Sequence, residues 1–199
     1  STRIVTGTMN DAGVLPTAAA ALLNHGKFSA AVVISASHNP WQDNGLKVLG
    51  ADGTKLGAQD EAWLEANIAA ALPLASPEAA PPAVWEQASE AYSNEILQRA
   101  GLPDLKGMSV LLDSAHGAAA ALAAGMFRRC GAIATDTAAL PNGRNINEEC
   151  GAVHPGALAA LIRGSGARLG FAFDGDADRC IAVCADGRIM DGDAKLRPL

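Results

Sequence analysis

Three aspartates at alternate positions form the strongest chemical signal in the sequence. They lie in residues 171–179, FAFDGDADR, where an apolar stretch ends in a loop of carboxylates and small residues. Carboxylates held together in one short loop repel one another, and a hard divalent cation with oxygen ligands removes that repulsion. We therefore predict that Asp174, Asp176 and Asp178 hold a cation, with Mg²⁺ as the expected ion beside a phosphate.

Other loops also place aspartates close together. An EF-hand calcium loop needs glycine at its sixth position and glutamate at its twelfth, and Arg179 and Ala185 stand there instead. In a haloacid-dehalogenase-type phosphatase loop, the usual Asp-x-Asp-x-Thr/Val pattern is broken here by Asp178. A solvated acidic turn is disfavoured by the apolar strands predicted on both sides. A cation site is therefore the favoured interpretation, and Arg179 is placed to face a phosphate beside it.

A second signal is a polar loop that follows an apolar strand near the N-terminus. It reads ISASHNP at residues 34–40, followed by DNGLK at residues 43–47. Taken alone, Ser-His-Asn-Pro is typical of a capped turn. However, ligands of open α/β sheets bind at the carboxyl ends of strands, and that is where Ser37 and His38 stand. Lys47 follows at short range and can hold a phosphate or exchange a proton with a hydroxyl.

The elements that must position these loops alternate between strands and helices. The pattern predicts strands at 28–34, 46–49, 109–112, 132–135, 169–173 and 180–184, and helices at 58–72, 85–99, 118–130 and 155–163. This alternation favours an α/β fold of two α/β sandwich units with mixed, largely parallel sheets. Four prolines between residues 73 and 82 predict a linker at 73–83, which separates one unit at 1–72 from another at 84–199.

Composition narrows the classes of partner. The chain of 199 residues is 49% hydrophobic and 18% charged, with a formal net charge of -6. Net negative charge argues against nucleic acid as the main partner, and no apolar run is long enough to span a bilayer. We therefore expect no nucleic-acid or membrane partner and a cytoplasmic location. The sequence leaves the oligomeric state open, a homo-oligomer included.

Taken together, the two loops resemble the α-D-phosphohexomutase superfamily. Residues 36–40 match its Ala-Ser-His-Asn-Pro serine motif, and residues 174–179 match its Asp-Gly-Asp-x-Asp-Arg metal motif, in the same order and spacing. A third stretch, residues 145–155, matches Asn-Ile-Asn-x-x-Cys-Gly-x-x-His-Pro. With the flanks of the serine motif, this stretch resembles the branch of the superfamily that acts on glucosamine phosphate.

The resemblance implies a mechanism that uses both loops. Ser37 would carry a phosphate, and Mg²⁺ would be held by a phosphate oxygen on Ser37 together with Asp174, Asp176 and Asp178. His38, Lys47 and Arg179 would stand around the reacting phosphate. The reaction implied is the interconversion of glucosamine 6-phosphate and glucosamine 1-phosphate through a bisphosphate intermediate. The substrate expected is therefore a hexosamine phosphate.

The match also has departures. Members of the superfamily have four domains, and the sequence matches part of the first (1–72) and the second (84–199). A Gly-Glu-x-Ser-Gly-His loop and an Arg-x-Ser-Gly-Thr-Glu loop, which grip the sugar and its second phosphate, are absent from the 199 residues. We expect the chain alone to be a poor mutase and to be a truncated form. Two alternatives stay open: a phosphomannomutase or phosphoglucomutase relative, and a non-catalytic Mg²⁺-binding remnant.

Overall fold

The computed structural model describes residues 9–71 and 82–190 of the chain. In this part the helices are Thr17–Asn24 (α1), Ala58–Ala71 (α2), Ala88–Arg99 (α3), Ala123–Arg129 (α4) and Pro155–Ile162 (α5). The strands are Asn10–Asp11 (β1), Ala30–Ser35 (β2), Gly45–Gly50 (β3), Ala83–Val84 (β4), Ser109–Asp113 (β5), Ile133–Thr137 (β6), Leu169–Phe173 (β7), Cys180–Cys184 (β8) and Ile189–Met190 (β9). None of the helices within these ranges has both the length and the apolar character needed to cross a bilayer.

The first half is built on an antiparallel pair of strands, β2 and β3. Ala30 pairs with Gly50 at one end and Ser35 with Gly45 at the other, so Lys47 lies opposite Val33. Helix α1 packs against β2. The pairing brings Lys47 back alongside the strand that leads into the serine loop, residues 36–44.

The second half contains a five-stranded mixed sheet in the order β6-β5-β7-β8-β9. Strand β5 pairs in parallel with β6 and β7, whereas β7–β8 and β8–β9 are antiparallel. The antiparallel pairs follow from short connections, because a parallel crossover needs about a dozen residues or more. The predicted α/β fold with mixed sheets is confirmed, and in the second half its parallel pairing is confined to β6, β5 and β7.

Successive side chains of β5 point to opposite faces of this sheet, as in any strand. Val110 and Leu112 pack with Ala119 of the turns before α4 and with Ala123 and Ala124 of α4 itself. Leu111 packs on the other face with Leu158 and Ile162 of α5. The sheet is therefore covered by helices on both faces, and the buried sequence VLLD can be apolar throughout until Asp113.

A third buried cluster joins the two halves. It consists of Ala19 and Leu23 from α1, Ala88 and Tyr92 from α3, and Leu122 from the turn before α4. In addition, β1 pairs in parallel with β4. Most of the linker predicted at 73–83 lies outside the described residues. Where the structure is described, α3 packs on α1, and this contact helps to set the two loops against each other.

Element bounds agree closely with the predictions, with one clear exception. The helix predicted at 118–130 is wrong for its first five residues, because residues 115–122 form turns and α4 begins at Ala123. These turns approach the carboxylate loop: the Ala118 N–H donates to the Gly175 carbonyl at 2.8 Å. Helix α1, TAAAALLN, was not predicted, because four consecutive alanines leave little periodic pattern. Strands β1, β4 and β9 were not predicted either, because each is only two residues long.

Two leucines on α5 offer a matched test of the packing between helix and sheet. Leu158 is fully buried, and a Cβ at Gly170 of β7 would come within 3.1 Å of its Cδ2, whereas Leu161 is 53% exposed. We expect Leu158→Ala to lower the free energy of unfolding by about 2–5 kcal/mol and Leu161→Ala by less than about 1 kcal/mol. Urea unfolding of both variants checks this. Equal losses would show that α5 does not pack as described.

Candidate active site

The serine loop and the carboxylate loop meet at the carboxyl ends of β2 and β7. The serine loop leaves β2, and the carboxylate loop, residues 174–179, connects β7 to β8. The Ser37 carbonyl oxygen packs against Gly175, and the Ser37 side chain lies close enough to the carboxylate of Asp176 to help lower its pKa. The two strongest sequence signals therefore lie in one place, although they are far apart in the chain.

The carboxylate loop gathers its three acidic groups. Asp174, Asp176 and Asp178 each offer an oxygen that lies within 4.8 Å of the others. The loop is closed by the Ala177 N–H donating to the Asp174 carbonyl at 3.0 Å and by the Arg179 N–H donating to Asp174 Oδ1 at 3.0 Å. Asp174 and Asp176 are buried, whereas 40% of the Asp178 side chain is exposed. This short turn explains why small residues separate the aspartates.

The two buried aspartates differ in charge compensation. Burial raises the pKa of Asp174 to about 6, and the nearby carboxylates of Asp178 and Asp176 add to the rise. Burial also pushes up the pKa of Asp176, but the hydrogen bonds from Lys47 and Thr17 and the charge of Lys47 outweigh it, and its pKa lies below the ordinary value. The folded state therefore holds the proton of Asp174 more tightly than the unfolded state does. In the absence of a cation, the free energy of unfolding should fall as the pH rises from 3.8 to about 6.

Each buried aspartate has one oxygen that lacks a hydrogen-bond partner in the described part of the chain. Asp174 Oδ2 and Asp176 Oδ1 are buried and accept no hydrogen bond among the described residues. Buried polar atoms of proteins are normally paired, and an unpaired carboxylate oxygen suits a cation. The donor set is made only of oxygens, which is the set that Mg²⁺ prefers and zinc does not. The residues present therefore fit a hard divalent cation.

Lys47 joins the hairpin of the first half to the carboxylate loop. Its Nζ lies 2.6 Å from Asp176 Oδ2 and 3.6 Å from Asp178 Oδ2. Burial lowers the pKa of Lys47, but the hydrogen bonds and charges of the two aspartates raise it by more, so its pKa lies above the ordinary value. Lys47 is therefore held as an ammonium group against Asp176 and Asp178.

The serine itself stands in a tight turn. Its backbone has φ of 53°, in the left-handed region, and its N–H donates to Ser35 Oγ at 2.8 Å. The Asn39 N–H donates to the Ala36 carbonyl at 2.9 Å and closes the turn. Non-glycine residues adopt this conformation only when the surroundings hold it, and such residues are concentrated at functional sites.

His38 and Arg179 make a direct contact across the two loops. Arg179 Nη2 lies 2.6 Å from His38 Nδ1, so the guanidinium donates to that ring nitrogen. Arg179 Nε lies 3.7 Å from Asp174 Oδ2 and 3.8 Å from Asp178 Oδ1. The structure thus brings together all seven predicted site residues: Ser37, His38, Lys47, Asp174, Asp176, Asp178 and Arg179.

Two further residues contact these loops, and the sequence analysis assigned neither a role. Thr17, at the start of α1, donates from Oγ1 to Asp176 Oδ2 at 2.5 Å and from its N–H to the Asp176 carbonyl at 3.0 Å. Asn147 Nδ2 donates to the carbonyls of Ser37 and Asn39 at 2.8 and 2.9 Å. Asn147 lies in the third motif, which could have drawn attention to it. Thr17 gave no such signal, because its partner lies far along the chain.

Comparison with known proteins agrees with this architecture. Residues 7–73 match the family model described as phosphoglucomutase/phosphomannomutase, alpha/beta/alpha domain I, and residues 77–187 match the model of domain II of the same family. The chain belongs to the phosphoglucomutase/phosphomannomutase family.

Relatives in this family include phosphoglucosamine mutases. That of Mycobacterium ulcerans (strain Agy99) is 43% identical over 187 residues, which are 92% of this chain and 41% of the relative. That of Bordetella petrii is 44% identical over 189 residues, 93% of this chain and 42% of the relative. The chain therefore spans about two fifths of the length of these relatives.

Solved structures show the same fold. A phosphoglucomutase/phosphomannomutase family protein from Burkholderia thailandensis superposes with a TM-score of 0.74 at 24% identity, over 94% of this chain and 42% of that one. An N-acetylglucosamine-phosphate mutase in its substrate complex gives a TM-score of 0.58 at 16% identity, over 90% of this chain and 49% of that one.

The unpaired carboxylate oxygens predict a thermal response to magnesium in this family member. We expect MgCl₂ to raise the melting temperature of the chain by a few degrees, because a cation that binds only the folded state stabilises it. Asp178→Asn should lose most of this gain, since one of three ligands loses its charge. The gain in melting temperature should also be smaller when the pH is below the pKa of Asp174, about 6, because a proton then competes with the cation.

Asp186→Asn is the matched control, because Asp186 is an exposed aspartate in the turn between β8 and β9. Differential scanning calorimetry at constant ionic strength separates specific binding from screening. An equal magnesium response in wild type and Asp178→Asn would remove Asp178 from the cation site.

Proposed function

We propose that this chain carries the phosphoserine and magnesium-binding half of a phosphoglucosamine mutase, with Ser37 as the carrier of the phosphate. The observation that supports this most directly is the meeting of the two loops: the Ser37 carbonyl oxygen packs against Gly175, and the Ser37 side chain lies close enough to Asp176 to lower the pKa of that carboxylate. It places a hydroxyl against a group of three carboxylates that is suited to a cation. A serine and a cation site in contact are the two parts that phosphoryl transfer through a phosphoserine requires.

A phosphate on Ser37 needs positive charge around it. It would bring about 1.5 to 2 negative charges to a loop that already lies beside three carboxylates. Asp174, Asp176, Asp178 and a phosphate oxygen on Ser37 would hold Mg²⁺, which supplies charge neutralisation of the transferring group. The ammonium of Lys47 and the guanidinium of Arg179 add two fixed positive charges from the protein.

The chemical step transfers a phosphoryl group between two hydroxyls. The Ser37 O–P bond breaks, a bond from phosphorus to a sugar hydroxyl oxygen forms, and the proton of that hydroxyl is passed on to the Ser37 oxygen, which becomes a hydroxyl again. The phosphate at the other position of the resulting bisphosphate then returns to Ser37, so the enzyme ends as it began. Lys47 is charged in this structure, so its role at the start is to hold phosphate or donate a proton, and Arg179 positions His38 beside the serine.

The substrate class is a hexosamine phosphate, and the net reaction is the interconversion of glucosamine 6-phosphate and glucosamine 1-phosphate. Support for glucosamine comes from the phosphoglucosamine mutases that are 43% and 44% identical to this chain. The family model also covers phosphoglucomutases and phosphomannomutases, so glucose and mannose phosphates are the competing substrates. The cytoplasmic location, the oligomeric state and the low activity of the 199 residues alone stay predictions.

Intact-mass spectrometry tests the role of the serine. After incubation with Mg²⁺ and glucosamine 1,6-bisphosphate, the wild-type chain should gain one phosphoryl group, because Ser37 attacks the donor and keeps the phosphate. Ser37→Ala should gain none. The exposed Ser29 provides a matched control, and Ser29→Ala should behave as wild type.

Two outcomes would contradict the proposal. One is a wild-type chain that binds magnesium but never takes up phosphate, which would favour a non-catalytic cation-binding module. The other is equal phosphate uptake by Ser37→Ala, which would move the phosphate to another residue. Fragmentation of the modified chain then locates the group.

A further inference from the structure

We propose that Asn147 is a positioning residue that locks the serine loop in the conformation presenting Ser37 to the carboxylates. This inference rests on the proposed function for its catalytic meaning, although the lock itself is a structural property that can be tested separately. Asn147 lies in the segment between β6 and α5, far from the serine loop in sequence. Within the part of the chain that the structure describes, its side chain makes no hydrogen bond to the three aspartates, so its effect is exerted through the loop.

The amide group of Asn147 acts on two points of the serine loop at once. Its Nδ2 donates to the Ser37 carbonyl at 2.8 Å and to the Asn39 carbonyl at 2.9 Å. Since both partners are acceptors, the orientation of the amide is fixed with nitrogen toward the loop. The two carbonyls flank His38, so one side chain holds the backbone on both sides of that residue.

Asn147 is itself held in place by the second half of the chain. Its N–H donates to the Ala115 carbonyl at 2.9 Å, and the residue is only 6% exposed. Next to it, the Ile146 side chain lies against Gly175, and a Cβ at Gly175 would also overlap the Ser37 carbonyl oxygen. The Ser37 carbonyl therefore lies between the amide of Asn147 and the backbone of the carboxylate loop. Movement of this carbonyl would move Ser37 relative to Asp176.

The backbone at this position explains why asparagine suits it. Asn147 has φ of 58°, in the left-handed region, where asparagine, aspartate and glycine are tolerated best. Among these three, only asparagine also carries two N–H donors. Aspartate keeps the backbone and shape but offers acceptors to two carbonyl oxygens, and glycine keeps the backbone without the side chain. Both replacements therefore remove the lock without straining the backbone.

Amide hydrogen exchange tests the lock without any phosphate chemistry. In the unphosphorylated chain, the Ser37 N–H donates to Ser35 Oγ at the end of β2, and the Asn39 N–H donates to the Ala36 carbonyl. We expect Asn147→Gly and Asn147→Asp to speed exchange of these amides at least about tenfold, because two hydrogen bonds that oppose local opening are gone. Asn145→Ala is the matched control, since that side chain bonds only within residues 140–145. It should leave exchange in the serine loop unchanged.

The kinetics of phosphate uptake from glucosamine 1,6-bisphosphate test the consequence for Ser37. We expect the maximal rate to fall about 10- to 100-fold in Asn147→Asp and Asn147→Gly, because the hydroxyl is no longer held in line. The half-saturating donor concentration should change by less than about threefold, since Asn147 holds the loop and not the donor. A global loss of folding would speed amide exchange throughout the chain, and the core amides of β5 report such a loss separately.

The outcomes separate the two ideas. If amide exchange in the serine loop of Asn147→Gly and Asn147→Asp is as slow as in Asn145→Ala, Asn147 does not hold the loop, and the proposal is wrong whatever the kinetics show. If exchange rises but the rate of phosphate uptake is unchanged, the loop is held by Asn147 without positioning Ser37 for transfer, and the proposal is also overturned. If the wild-type chain takes up no phosphate at Ser37, the proposed function fails, while the exchange result still decides whether the lock exists.

Discussion

Mutual repulsion among three carboxylates is the constraint on which this site depends. The chain concentrates Asp174, Asp176 and Asp178 at the end of one buried strand, where water can solvate them only partly. The protein compensates Asp176 with hydrogen bonds from Lys47 and Thr17, both from the first half. It leaves Asp174 with a pKa of about 6, so that carboxylate is poorly compensated without a further positive charge. Asp174 is thus the carboxylate that would gain most from a bound cation, whereas Asp176 is bonded to residues of the first half.

The compensation also explains how the two halves of the chain are joined. Lys47 reaches the carboxylate loop from β3, and Thr17 reaches it from the start of α1, so the electrostatic contacts cross the same boundary as the packing of α1 on α3. The charge-assisted hydrogen bonds fix the direction and distance between the bonded side chains, whereas the cluster around α1 and α3 buries the apolar surface between the two halves. Together they hold the serine loop of one half against the carboxylate loop of the other.

Close approach of the loops depends on two glycines. A Cβ at Gly117 would overlap the backbone of Gly175, and a Cβ at Gly175 would overlap the Ser37 carbonyl oxygen and the Ile146 side chain. Any other residue at either position would push the loops apart. The glycine in the carboxylate motif therefore does more than shorten the spacing between aspartates, because it lets three loops pack backbone to backbone.

The sequence by itself determined the local features of the site: the carboxylates at alternate positions, the serine turn, and strands β7 and β8 at the predicted residues. These depend on nearest neighbours and on the two-residue period of strands, which a single sequence displays. Periodicity failed at residues 118–122, where alanines that suit a helix form turns because the Ala118 N–H bonds the Gly175 carbonyl instead. Only the tertiary structure decided that Thr17 compensates Asp176 and that Asn147 holds the serine loop. Each of these contacts joins residues more than a hundred positions apart, and their geometry is set by how α1, the sheet and the intervening loops pack, which no local pattern encodes.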